Sequence, residues 1–167
     1  LRFAILLVGL CAPTFSRAAL VAAWGENSYG QTRLPVGINN VKAIAGGEYH
    51  SLALRSDGSV VAWGLNNQGQ INVPSGLANV KAIAAAGYRS LALKVDGAVV
   101  VWGDSTYGQT NVPGGLARVT AIAAGTRHNL ALTTAGHVVA WGDNAVGQTN
   151  VPAGLSEVAA IAAGSIH

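Results

Sequence analysis

The sequence predicts an all-β fold, a β-propeller of four-stranded antiparallel blades built on a 39-residue repeat. Trp24, Trp63, Trp102 and Trp141 recur at that interval with their neighbours in the same phase. The apolar stretches between them are only strand-length, and each is bounded by turn residues. Strands this short cannot bury two faces alone, but four-stranded sheets stacked in a ring bury them against one another. A β-solenoid also repeats; its coils are usually shorter and lack the Asp-Gly hairpins seen here.

The first segment, Leu1 to Ala18, stands apart from the repeat. Arg2 precedes an unbroken apolar run, Phe3 to Ala12, and Pro13 to Ala18 follow. The run fits the apolar centre of a secretory signal peptide and falls well short of the roughly 20 residues of a membrane-crossing helix. Ser16 and Ala18 are small residues at the expected −3 and −1 positions, which places cleavage after Ala18. The expectation is a secreted or cell-surface protein, with the periplasm as a further option. A buried N-terminal strand or helix is the structural alternative.

Cleavage would remove Arg2 and Arg17 from the 10 Lys and Arg, leaving them nearly balanced against 7 Asp and Glu. No basic cluster remains that could neutralise a row of phosphates, so nucleic acid is not an expected partner. Cys11 would also leave, and with it any disulfide or cysteine metal site. No membrane association is expected after cleavage unless an anchor follows.

Residues 19–34 read as half a blade, strands C and D. Full blades are expected at 41–73, 80–112 and 119–151, and the start of another at 158–167. In the first full blade, strand A is Val41 to Ala45, B is Ser51 to Leu54, C is Val60 to Trp63 and D is Gln70 to Val73. Asp57-Gly58 and Asp96-Gly97 supply the positive φ that a tight B–C hairpin needs. Strand A, with Ala43, Ala45 and Gly46 or Ala82, Ala84, Ala85 and Ala86, is small enough for the crowded innermost position. The Trp of strand C would fill the wider gap between blades.

Gly125 to Leu132 (Gly-Thr-Arg-His-Asn-Leu-Ala-Leu), Asp57-Gly58, and Val61-Ala62-Trp63-Gly64 with Gly69-Gln70 resemble the repeat of the regulator of chromosome condensation family. The short period and the Gly-Gln-Thr-Asn-Val-Pro segments at 108–113 and 147–152 are similar to the compact secreted bacterial members, such as the β-lactamase-inhibitor propeller. The resemblance implies a propeller of about seven blades, so the roughly 3.8 repeats after residue 18 would form an incomplete ring, a fragment of the whole. A second glycine motif of the eukaryotic repeats is absent, and guanine-nucleotide exchange and chromatin binding are not carried over.

Positions constant in every copy are most simply structural: Trp24, Trp63, Trp102 and Trp141; Gly25, Gly64, Gly103 and Gly142; Gln31, Gln70, Gln109 and Gln148. The glutamines are expected to bond backbone groups of the C–D loop, and His50 and His128 the loop backbone. Arg89 at the histidine phase argues against a metal ring, and no metal or cofactor is expected.

Hairpin logic puts the A–B and C–D loops on one face, and these are the loops that vary between copies. Glu26, Tyr29, Glu48, Tyr49, Gln68, Tyr88, Arg89, Asp104, Tyr107, Arg127 and Asp143 are the candidate partner-binding residues there. Tyrosine and arginine are the types that anchor protein interfaces. Asp104 and Asp143 share a phase, but aspartate in such a loop more often closes a turn on its own backbone. No nucleophile elbow, metal helix or phosphate loop is present. The expected function is therefore an extracellular repeat scaffold that binds an unknown protein, not an enzyme. A glycan-binding or lyase- or hydrolase-type propeller with its site in further blades is the alternative.

Overall fold

A computed structural model of the chain describes residues 4–8 and 20–167. All of its described regular structure is β: β1 (Ala4–Val8), β2 (Leu20–Trp24), β3 (Val41–Gly46), β4 (His50–Arg55), β5 (Val60–Gly64), β6 (Val80–Ala86), β7 (Arg89–Lys94), β8 (Val99–Gly103), β9 (Val119–Ala124), β10 (His128–Thr133) and β11 (Val138–Gly142). Three antiparallel sheets of consecutive strands, β3-β4-β5, β6-β7-β8 and β9-β10-β11, are the blades. Strands A, B and C thus form close to their expected bounds.

Strand D does not form. Gln70 to Val73 and their equivalents fold into successive turns, in which Gly69 N–H donates to Asn66, Asn72 N–H to Gly69 and Val73 N–H to Ile71. Side chains finish the job: Asn66 Oδ1 accepts from Ile71 N–H, and Asn66 Nδ2 donates to Asn72 Oδ1 at 2.8 Å. Backbone groups satisfied within the loop have nothing left for a ladder with strand C. The blades are consequently three-stranded.

The expected cleavage site after Ala18 lies outside the described residues. Ala4–Val8, within the segment expected to be the export signal, pair antiparallel with β2, from Ala4 opposite Trp24 to Val8 opposite Leu20. That is the place strand B takes in the following blades. At the other end, 158–163, the counterpart of β3, β6 and β9, forms no strand, although Val158 N–H still reaches Gly136 O.

Alternation along strand B builds the core. In His50-Ser51-Leu52-Ala53-Leu54, Leu52 and Leu54 point one way and pack on Ala92 and Trp102 of the next blade. Ala53 points the other way, onto Val21 with Trp63. Leu93, Ala131 and Trp141 repeat the pattern at the next junction. A large residue on one face meeting an alanine on the next is what lets sheets stack closely. Strands β3, β6 and β9 lie against one another in sequence, which places the Ala- and Gly-rich strand innermost.

Candidate binding face

The loop face is assembled from the blade junctions outward. Each of the buried glutamines Gln31, Gln70 and Gln109 works at both ends. Its side-chain Oε1 accepts from the backbone N–H two residues earlier, Tyr29 for Gln31 at 3.0 Å, Gln68 for Gln70 at 2.8 Å and Tyr107 for Gln109 at 2.7 Å. Its amide nitrogen donates to Glu26, Asn67 or Asp104. Its backbone carbonyl then serves the next blade: Gln31 O accepts from Trp63 Nε1 at 2.9 Å and Ser51 Oγ at 2.8 Å. Gln70 O takes Trp102 and Ser90 in the same way, and Gln109 O takes Trp141 and Asn129. One buried residue therefore shapes the loop and locks it to the following blade.

The A–B loop is tied to the C–D loop through a close approach that only glycine allows. Gly64 has φ 107°, and a Cβ there would stand 2.5 Å from Tyr49 O. Tyr49 O accepts from Leu65 N–H, Tyr88 O from Asp104 N–H and Arg127 O from Asp143 N–H. The two variable loop sets thus share one face. Asp104 Oδ1 accepts from Thr106 N–H and Asp143 Oδ1 from Ala145 N–H, each at 3.0 Å, so both carboxylates close turns in their own loops. Glu26 does the same with Ser28, and those bonds hold its carboxyl below the usual range.

Three of the four tyrosines come together. The Tyr29 ring meets Tyr49 edge-on with centroids 5.2 Å apart, and Tyr49 lies 6.0 Å from Tyr88. The fourth, Tyr107, has the Arg127 guanidinium 4.8 Å above its centroid. Glu48, Gln68 and Arg127 are exposed, while Tyr49, Tyr88, Glu26, Asp104 and Asp143 are half-buried. Glu48 pushes the hydroxyl of Tyr49 up by its charge, and burial followed by the same charge pushes up Tyr88.

Arg89 does not belong to this surface. It is wholly buried, and its guanidinium reaches into the next blade: Nη2 donates to Gly125 O and His128 O, both at 2.8 Å, Nη1 to Thr126 O at 3.0 Å and Nε to Asn129 Oδ1 at 3.1 Å. Burial lowers its pKa to about 10, so it remains charged at neutral pH. A buried guanidinium is tolerated because its donors are met by carbonyls.

His50, of the same phase, also serves the junction, through Ser90 of the next blade. Ser90 gives its hydroxyl proton to Gln70 O, so His50 Nε2 is the donor to Ser90 Oγ at 2.9 Å. The His50 ring lies over Gly47, where an added Cβ would stand 2.1 Å from its Cε1. Burial pushes its pKa down to about 4. His128 is buried likewise, over Gly125, and its pKa is lowered by burial and then by Arg89. The signal for Arg89 was in the sequence: that repeat carries Ala86 where the others have Gly47, Gly125 and Gly164, and the next blade has Asn129 where Ser51 and Ser90 stand elsewhere.

No group of three or more His, Cys, Asp or Glu among the described residues could hold a metal ion. No helix there is long and apolar enough to cross a membrane.

Stacked antiparallel blades, an inner small-residue strand and a tryptophan latch at each junction define the class, a repeat propeller. The regulator of chromosome condensation (RCC1) repeat matches three times, at residues 41–70, 80–109 and 119–148, and the chain belongs to that family. It is similar to Prp20p from Saccharomyces cerevisiae, a structure described with that protein's binding to Gsp1p and histones, at a TM-score of 0.74 and 21% identity over 92% of this chain and 56% of that one. The ectodomain of the Physcomitrella patens receptor kinase CR4 follows at 0.66 and 26%, over 86% of this chain and 37% of that one. Human WBSCR16 matches at 0.63 and 27%, over 75% and 44%. The chain thus spans about half or less of the length of these solved relatives. No curated protein sequence matches it.

Proposed function

We propose that this chain is part of an exported scaffold that binds a protein partner on its A–B and C–D loop face. The observation that carries the proposal is the run of touching rings, Tyr29, Tyr49 and Tyr88, presented by loops of successive repeats on a rigid base. Tyrosines held by packed neighbours lose little freedom on binding and combine apolar area with a hydroxyl, the properties of an interface anchor. Prp20p, described with protein partners, and the CR4 receptor ectodomain support the use of this fold as a binding platform. Export rests on the apolar run Phe3 to Ala12 with Ser16 and Ala18 before the cut.

The binding claim is tested by panning the full chain against a phage-displayed random peptide library and measuring the affinities of the selected peptides. Changing Tyr49 and Tyr88 together to Ala should weaken them about 30-fold or more, the scale of an interface hot spot. Control changes at Val36 and Val95, exposed in the D–A and B–C connections, should leave them unaltered. Equal losses in both variants would discard the loop face as the site.

A further inference from the structure

We infer that the Glu48 edge of this face takes a lysine or arginine side chain of the partner, held by the Glu48 carboxylate beside the rings of Tyr49 and Tyr88. The inference rests on the proposed binding face and narrows the partner to one offering a basic residue.

An open basin of about 520 Å³ lies where the A–B loops of successive repeats converge, and Glu48 is the only charged side chain in a wall otherwise of glycine, alanine, serine and threonine. Glu48 N–H donates to Gly87 O at 2.9 Å, which fixes the residue at the basin edge while its side chain stays exposed. Among the described residues the ion pair is Lys94–Asp96, remote from this loop, so Glu48 meets no cation of its own chain there. Its charge is felt at both neighbouring rings, where it raises the Tyr49 and Tyr88 hydroxyls. A carboxylate beside aromatic rings is an environment for an ammonium or guanidinium group, which gains from the ring quadrupole and the charge together.

The repeat itself supplies the comparison. At the A–B tip the successive copies carry Tyr49, Tyr88 and Arg127, and Arg127 lies over Tyr107. The third copy therefore provides its own cation for a tyrosine of this face, whereas the first two present rings and a carboxylate without one. The wider charge agrees. Glu26, Glu48, Asp104 and Asp143 all sit on these loops, against two exposed arginines, Arg33 and Arg127, because Arg89 is turned inward to the next blade. A face of this sign, on a chain whose net charge is +3, selects a cationic partner and speeds its approach.

The peptides selected above provide the test. They should be enriched in Lys and Arg, and E48Q should weaken them about tenfold. E48D should restore most of the loss, and the effect of E48Q should vanish for a peptide whose basic residue is replaced by Gln. Urea midpoints of both variants confirm an unaltered fold, since Glu48 is exposed. Peptides without basic enrichment, or peptides indifferent to E48Q yet weakened by the Tyr49 and Tyr88 changes, would overturn the inference and leave the binding face standing. Indifference to the tyrosine changes would remove both.

Discussion

At position 89 an arginine takes the place held by His50 and His128 in the neighbouring repeats, and three positions change together: Ala86, Arg89 and Asn129. The geometry explains the set. A histidine ring needs a glycine beneath it and a serine ahead of it; the longer arginine passes over to the next blade, leaves room for an alanine methyl, and finds the Asn129 amide oxygen. R89A would leave three carbonyls and one amide oxygen without their charged donor, at a cost of about 3 to 5 kcal/mol, read as a lower urea midpoint. The triple change A86G, R89H and N129S rebuilds the His50 arrangement and should recover most of that loss. From sequence alone, Arg89 reads as one more exposed loop residue beside Tyr88. Only a count of which positions change in concert would have marked it as a junction residue.

At the scale of the element, strands A, B and C were legible because their alternation and their Asp-Gly turns are local properties. Gly58 and Gly97 adopt φ 81° and 87° as the hairpins require. Strand D was not legible: Gln-Ile-Asn-Val has a strand's composition, but Asn66 and the turn carbonyls of Gly69 and Ile71 take its N–H groups first. The same turn sets the Gln carbonyl toward the indole of the following blade, a role no local pattern discloses. W102F keeps the ring in its buried slot and removes the bond to Gln70 O, so the expected loss is about 1 to 3 kcal/mol by urea denaturation. W102A should cost more, about 3 to 5 kcal/mol, because it also leaves a cavity. Equal losses from the two changes would show that the indole N–H contributes nothing.

Across the whole molecule, neighbouring blades are joined by hydrophobic faces and by buried polar links, one of them His50 to Ser90. Burial holds the pKa of His50 at about 4, below its ordinary 6.5, and moves His128 in the same direction. The unfolded chain therefore takes up protons first as pH falls. Stability should be fully present above about pH 6.5 and decline between there and about 4, by about 3 kcal/mol for His50. Urea midpoints measured from pH 7.5 to 4 check the slope, and H50Q should flatten it, leaving the share of His128. A slope unchanged by H50Q would place the acid sensitivity elsewhere.

The repeat period, the order of strands A, B and C within it, the sorting of variable loops to one face and the family all follow from the sequence, because each depends on spacing and on residue type within a few positions. The tertiary structure decided the rest. Which tyrosines touch, why Glu48 stands at the basin edge without a cation, and why Arg89 is buried depend on contacts between residues of successive repeats. Such contacts exist only once the blades stack, since the partner of each junction residue lies in another blade and its distance is set by the packing of the small inner strands.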